Sequence, residues 1–150
     1  AGLSMGGRGT CVLAFNHPEK FAAAAILSAA PSDLYDTKAQ GGAMWDRMSK
    51  SIANFDSEED FLNSYQNTFK VLKDKFEAGV DLPRLLFACG EADGVYPSFQ
   101  EFRAKADAMG LPAEYFTLPG YKHEWRFWDL AIQKALDFFG LETQAAGNPF

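Results

Sequence analysis

The sequence is poor in the features that mark several classes of protein. Two cysteines in 150 residues are too few for a disulfide framework. Lys and Arg number 14 against 20 Asp and Glu, the net charge is −6, and no dense basic cluster is present. The longest apolar stretch, around residues 21–27, is far shorter than the ~20 residues that cross a bilayer. We therefore expect neither a nucleic-acid partner nor a membrane partner.

Metal and cofactor chemistry also lack a sequence signature. The chain has two histidines, two distant cysteines and no H-E-x-x-H pattern, so no metal site is predicted. The glycine-rich run at residues 6–10 lacks the G-K-[ST] ending of a phosphate-binding loop, and no cofactor is expected. Cys11 and Cys89 are interpreted as small core residues, and a disulfide between them is left open. The first residues carry no basic n-region or signal-type core, and the compartment is left open, with the cytoplasm favoured.

What the sequence does contain is a serine between glycines. Gly2, Ser4 and Gly6 fit the pattern G-x-S-x-G, in which the serine stands on a sharp turn between a strand and a helix. Both glycines are expected where the backbone is too crowded for a Cβ. The helix that follows would place the Met5 amide at its N-terminus, as one donor of an oxyanion hole.

Helical and strand patterns alternate along the rest of the chain. Apolar spacing and end signals predict helices over residues 5–16, 97–109 and 125–139, and short apolar runs predict strands over residues 21–28, 84–89 and 113–118. This alternation predicts an α/β fold with about three parallel strands and crossover helices. This domain would span residues 1–141, with a loose tail over residues 142–150.

Residues 32–79 are too long for a simple connection and are predicted to form a helical cap insertion. Ser57 is expected to cap a helix within it, since acidic residues follow at once. Apolar residues at helical spacing then predict that this helix continues until Gly79 closes it.

Two further residues complete a hydrolase pattern in the chain order Ser, Asp, His. Asp93 follows the second predicted strand and His123 follows the third, and parallel strands place such loops at one edge of a sheet. His123 would take the proton of Ser4, and Asp93 would orient and stabilise the imidazole. Glu91 is a rival acid, whereas His17 in a helix-ending His-Pro turn is expected to be exposed. Substrate-binding roles are open for the three tryptophans, Trp45, Trp125 and Trp128, although aromatics at helical spacing are more often core.

These motifs together resemble the esterase D family of α/β-hydrolases. The resemblance rests on the run at residues 2–7, on the runs at 17–22 and 27–29, and on residues 88–93 and 119–128. That family includes tributyrin esterases, S-formylglutathione hydrolases and feruloyl esterases. The resemblance implies a carboxylesterase with Ser4, Asp93 and His123 as its triad, acting on a small-molecule ester with a small or aromatic acyl group.

The same resemblance implies that the fold is the C-terminal half of an α/β-hydrolase domain, so that the front half, with the second oxyanion donor, is absent from the chain. The expected partners are therefore an N-terminal half or a second copy, paired at the open sheet edge. Two alternatives remain: a non-catalytic half-domain whose triad is unassembled, and an acyltransferase that uses the same triad.

Overall fold

The structure, a computed structural model, describes residues 1–141. It has one sheet of four strands, in which each neighbouring pair is parallel and the spatial order follows the chain. The strands are β1 (Gly2–Leu3), β2 (Ala23–Leu27), β3 (Arg84–Gly90) and β4 (Glu114–Leu118). The helices are α1 (Met5–Asn16), α2 (Leu34–Gln40), α3 (Gly42–Met48), α4 (Glu58–Leu62), α5 (Thr68–Glu77), α6 (Tyr96–Met109) and α7 (Trp125–Phe139). The α/β fold with parallel strands and crossover helices is confirmed.

Both central strands are buried on their two faces. The side of the sheet that faces α1, α5 and α6 contributes alternate residues of the strands, namely Ala24, Ile26, Leu85, Phe87 and Cys89. The opposite side packs against α7 through Ala25, Leu27, Leu86 and Ala88. A strand with two buried faces is apolar throughout, and this explains why the alanine-rich run of β2 is a strand in spite of the helix propensity of alanine.

The sheet has one more strand than predicted. Gly2 and Leu3 pair in parallel with Ile26 and Leu27 of β2, and this two-residue strand leads directly into Ser4. Two residues are too few to show a period of two in the sequence, and only the pairing with β2 defines them as a strand.

The helices of residues 32–79, called the cap below, differ from the predicted pattern in one respect. Ser57 caps α4 as expected, since its side chain accepts a backbone N–H of the first turn. One continuous helix as far as Gly79 is wrong, because the chain breaks between α4 and α5. The buried Asn67 causes the break: its side chain donates to the carbonyl oxygen of Leu62 (2.9 Å) and accepts from the amide of Lys70 (3.2 Å), so that it begins α5 as a new helix.

The cap has its own small core and is tied to the sheet layer. Leu34, Met48, Phe61 and Leu62 are buried together, with Trp45 packed against them. The loop after β2 joins this layer to α5, since the amide of Ser32 donates to Thr68 Oγ1 (2.9 Å) and the amide of Phe69 donates to the carbonyl oxygen of Ser32 (3.0 Å). The cap is thereby held over the carboxyl end of the sheet. The predicted loose tail lies outside the described residues.

No helix among residues 1–141 is both long and apolar enough to cross a bilayer. The two cysteines are free thiols, and both are buried in the core between the sheet, α1 and α6. The disulfide that the sequence left open is not formed. Burial raises the pKa of each thiol, Cys11 and Cys89, to about 12.

Both thiols are therefore expected to be inert in the native protein. The thiolate is the reactive form. Burial disfavours deprotonation of the thiol and prevents the reagent from reaching the sulfur. Iodoacetamide at mildly alkaline pH should leave the native chain unmodified. After unfolding in guanidinium, mass spectrometry of the intact chain should show that both cysteines are alkylated. Rapid alkylation of the native chain at Cys11 or Cys89 would contradict this burial.

Candidate active site

Ser4 occupies a strained turn between β1 and α1. Its φ is 52° and its ψ is −119°, a conformation that is rare for a residue with a side chain. The amide of Ser4 donates to the carbonyl oxygen of Leu27 (2.8 Å), which continues the pairing of β1 with β2. The pairing of β1 with β2 thus holds the backbone of Ser4 in this conformation.

The two glycines of the motif have different surroundings. A Cβ on Gly2 would lie 2.2 Å from the carbonyl oxygen of Gly6 and 2.6 Å from Thr10 Oγ1, so only glycine fits there. A Cβ on Gly6 would meet nothing within 4 Å, and the expectation of crowding is wrong at that position. The second crowded glycine is Gly7, where a Cβ would lie 2.8 Å from Cβ of Ala29.

The structure brings Ser4, His123 and Asp93 into one chain of hydrogen bonds. Nε2 of His123 lies 2.8 Å from Ser4 Oγ, and Nδ1 lies 2.8 Å from Asp93 Oδ2. Asp93 is only 4% exposed, and its other oxygen accepts from the amide of Val95 (2.9 Å). A buried carboxylate with both oxygens partnered holds the imidazole with Nδ1 protonated, which leaves Nε2 free to accept from the serine.

The loops that carry Asp93 and His123 are fastened to each other. The amide of Ala92 donates to the carbonyl oxygen of Tyr121 (2.9 Å), and a Cβ on Gly90 would lie 2.4 Å from that same oxygen. Gly90 is thus required for the two loops to approach. Their positions at the carboxyl ends of β3 and β4 then place the acid beside the base.

The rival acid and the rival histidine lie elsewhere. Glu91 accepts from Thr117 Oγ1 (3.0 Å) on β4 and makes no hydrogen bond with His123. His17 has its own weak ion pair with Glu19 (3.8 Å), and its side chain is half exposed.

Two residues that the sequence did not single out for this role support the imidazole from behind. The rings of His123 and Trp128 are perpendicular to each other, with 4.9 Å between centroids. Nε1 of Trp128 donates to Ser28 Oγ (3.0 Å), and Ser28 is buried with a φ of 47° at the end of β2. The positive φ of Ser28 is a property of the folded backbone, for which the sequence gives no signal.

Met5 is the first residue of α1, where helix geometry leaves its amide without an acceptor inside the helix. The earliest bond of this turn is the one from the amide of Arg8 to the carbonyl oxygen of Ser4 (3.1 Å). The Met5 amide thus lies at the N-terminus of α1, next to the serine, and Met5 is 86% exposed; its role as an oxyanion donor stays a prediction.

A cavity of about 730 Å³ opens beside the serine and extends under the cap. Its lining joins Ser4, Met5 and His123 to side chains of α1, α2, α3 and α6. None of the three tryptophans lines it. Trp45 packs on Phe61 in the cap core, while Trp125 and Trp128 border a groove of about 290 Å³ beside β1. Their substrate-binding role stays a prediction; apart from the hydrogen bond of Trp128 to Ser28, the contacts given for them are aromatic packing contacts.

Among residues 1–141, no group of three or more His, Cys, Asp or Glu side chains is placed to hold a metal ion. The site is therefore described by its hydrogen bonds alone. A serine, a histidine and a buried aspartate at the carboxyl end of a parallel sheet define the α/β-hydrolase class.

Comparison with known proteins gives the family. The chain belongs to the esterase family, since the family model Esterase, described as "Putative esterase", matches residues 1–139. A comparison with curated proteins found no significant match.

Solved structures share this fold. The chain is similar to the S-formylglutathione hydrolase FrmB of Staphylococcus aureus, with 22% identity and a TM-score of 0.70, over 91% of this chain and 52% of that one. It is similar to the fluorophosphonate-binding serine hydrolase FphF of Staphylococcus aureus, with 25% identity and a TM-score of 0.73, over 94% and 53%. Esterase B of Lactobacillus rhamnosis matches with 21% identity and a TM-score of 0.59, over 91% and 49%. The chain thus spans about half the length of the solved structures it matches.

The two glycines beside Ser4 provide a matched pair of substitutions. We expect Gly2→Ala to lower the free energy of unfolding by ~1–3 kcal/mol, the usual cost of overpacking, because the new Cβ collides with backbone. Gly6→Ala should leave stability equal or raise it by up to ~1 kcal/mol, because alanine favours the helix and has open space. Thermal or denaturant unfolding of the two variants checks this, and equal midpoints would contradict the crowding at Gly2.

Proposed function

We propose that this chain carries the catalytic residues of a serine carboxylesterase. The observation that supports the proposal best is the hydrogen-bond chain from Asp93 through His123 to Ser4, with the serine in a strained turn at the mouth of a cavity. Because this chain of bonds lies within one polypeptide, it speaks against the alternative of a half-domain with an unassembled triad.

The reaction follows from the positions of the three side chains. Ser4 Oγ attacks the ester carbonyl carbon while Nε2 of His123 takes the hydroxyl proton. Collapse of the tetrahedral intermediate breaks the bond to the alcohol, and His123 returns the proton to the departing oxygen. Water then attacks the acyl-serine with His123 again as the base, which releases the acid and regenerates Ser4. Asp93 stabilises the imidazolium in both halves.

Negative charge on the carbonyl oxygen needs donors that are already in place. The Met5 amide at the N-terminus of α1 supplies one of them. In α/β-hydrolases the second donor comes from a loop that precedes the nucleophile in the chain. We assign the second donor to an N-terminal half of the domain or to a second copy of the chain.

The open edge of the sheet supports such a partner. Within residues 1–141, β1 pairs only with Ile26 and Leu27, so Ala23–Ala25 of β2 have no strand on that side. Apolar surface adjoins this edge, since Trp125 is 69% exposed and shares a groove with Leu3 and Ile132. Unpaired backbone beside an apolar groove suits the addition of further strands.

The esterase D group is the proposed place of this chain within its family, on the motifs around Ser4, Asp93 and His123. Its substrate is proposed to be a small-molecule ester with a small or aromatic acyl group. A solved structure named ferulic acid esterase matches 91% of this chain with a TM-score of 0.59, and that name agrees with an aromatic acyl group for that protein.

Turnover of para-nitrophenyl acetate and butyrate tests the proposed function. We expect hydrolysis that Ser4→Ala lowers by on the order of 10⁴-fold or more, because the nucleophile is lost. A fluorophosphonate probe should label the unsubstituted chain and not the variant. Ser49→Ala is the matched control, since this serine lies outside the cavity, and it should keep both turnover and label.

The same assay distinguishes the two proposed sources of the second oxyanion donor, an N-terminal half of the domain and a second copy of the chain. An inactive chain that gains Ser4-dependent turnover when a polypeptide with the front half of a related esterase is added would support the proposed partner. Activity that rises with the concentration of the chain alone would favour the second copy. Absence of turnover and of label in every preparation would contradict the proposed esterase function.

The choice of Asp93 over Glu91 is testable by isosteric amides. Asp93→Asn should lower kcat by on the order of 10⁴-fold, because the amide favours the wrong tautomer of the imidazole. Glu91→Gln should change kcat by less than about 3-fold, since its contact is to Thr117 and a surface hydrogen bond contributes little. Equal losses in the two variants would contradict the assignment of the acid.

A further inference from the structure

Two arginines line the cavity beside Ser4 without a carboxylate partner. Arg8 projects from α1 and Arg47 from α3, and within residues 1–141 neither forms an ion pair. The third cation of the lining, Lys105, is different, since it pairs with both Asp33 and Asp36. The positive charge that remains without a partner is therefore concentrated at the two arginines.

Arg8 is held in place by neutral acceptors. Its Nη1 donates to Ser32 Oγ (3.3 Å), and its Nη2 donates to the side-chain oxygen (2.8 Å) and the carbonyl oxygen (3.4 Å) of Gln66. A guanidinium has five N–H donors, and these contacts use three of them. The N–H of Nε and one N–H of Nη1 have no acceptor among the described residues. Burial is the main cause that lowers the pKa of Arg8, and the positive charge of Arg47 acts in the same direction.

Arg47 is an exposed side chain with one weak contact. Its Nη2 lies 3.1 Å from the sulfur of Met44, which is a poor acceptor and carries no charge. The remaining carboxylate of the lining, Glu101, is on α6 and forms no ion pair within the described residues. Within the described residues, no acid of the cavity lining therefore lies within ion-pair distance of either arginine.

The position of Arg8 relates this charge to the reacting atoms. Its amide donates to the carbonyl oxygen of Ser4, so the two residues are about one helical turn apart, an axial rise of ~6 Å over four residues. An ester bound at Ser4 and extending into the cavity comes within the reach of a long arginine side chain.

We propose that Arg8 and Arg47 form a carboxylate-binding subsite, and that the preferred substrates are esters that bear a carboxylate a few bonds from the scissile bond. This inference rests on the proposed serine esterase function. The planar guanidinium fork matches the two oxygens of a carboxylate. A partly buried positive charge without a counter-ion costs free energy, which an anionic ligand would recover.

Binding to the full chain carrying Ser4→Ala tests the subsite without turnover. Isothermal titration calorimetry would compare para-acetoxybenzoate with its methyl ester, for a carboxylate on the alcohol side. The para-nitrophenyl monoester of adipic acid against para-nitrophenyl hexanoate covers the acyl side. In at least one pair we expect the carboxylate to bind on the order of 10- to 100-fold more tightly, the usual effect of hydrogen bonds between charged groups.

Substitution of the arginines then tests whether the tighter binding of the carboxylate depends on Arg8 and Arg47. Arg47→Gln, at an exposed position, should bring the ratio of the two dissociation constants close to one, and Arg8→Lys should reduce it, because lysine lacks the fork. Arg103→Gln is the matched control, since Arg103 pairs with Asp107 outside the cavity, and it should leave the ratio unchanged. Circular dichroism confirms that each variant is folded.

The outcomes separate this inference from the proposed function. Equal binding of carboxylate and neutral ester in both pairs, or a preference that survives Arg47→Gln and Arg8→Lys, would overturn the subsite. If the proposed esterase function is wrong, the carboxylate preference would still depend on the arginines. The unsubstituted chain, however, would neither hydrolyse neutral esters nor react with fluorophosphonate at Ser4.

Discussion

The strained backbone at Ser4 is the constraint on which the rest of the site depends. A φ of 52° for a residue with a side chain persists only where the surroundings determine it. Here the pairing of β1 with β2, the bond from the Ser4 amide to Leu27 and the close approach of Gly2 to Gly6 all act on the same few residues. The result presents the hydroxyl at the start of α1, where His123 can reach it.

The parallel sheet supplies the other half of the geometry. Asp93 and His123 are far from Ser4 in the chain, yet each follows a strand whose carboxyl end lies at the same edge. Close backbone contact at Gly90 and Tyr121 fixes the acid loop against the histidine loop. Small side chains along β2 complete the arrangement, because they let α1 and α7 pack closely on opposite faces of the sheet.

The parts that could be predicted from the sequence are those with local causes. The bounds of α1 and α7 follow from a proline or glycine next to an apolar period, and the capping role of Ser57 follows from its own side chain. The parts that could not be predicted depend on distant contacts. The break before α5 needs the buried Asn67, the strand β1 needs its partner β2, and the support of His123 by Trp128 and Ser28 joins segments about 100 residues apart.

Helix α1 carries both the residue proposed to react with the substrate and a residue proposed to select it. Ser4 begins this helix and Arg8 lies one turn further, where its guanidinium contacts Ser32 and Gln66 at the junction of sheet and cap. The Arg8 side chain therefore joins the cap to the helix whose first amide stands beside the serine. The proposed carboxylate would bind at this junction, next to the helix that also supplies the Met5 amide. Selectivity in this fold would then arise from α1 itself as well as from the cap that covers it.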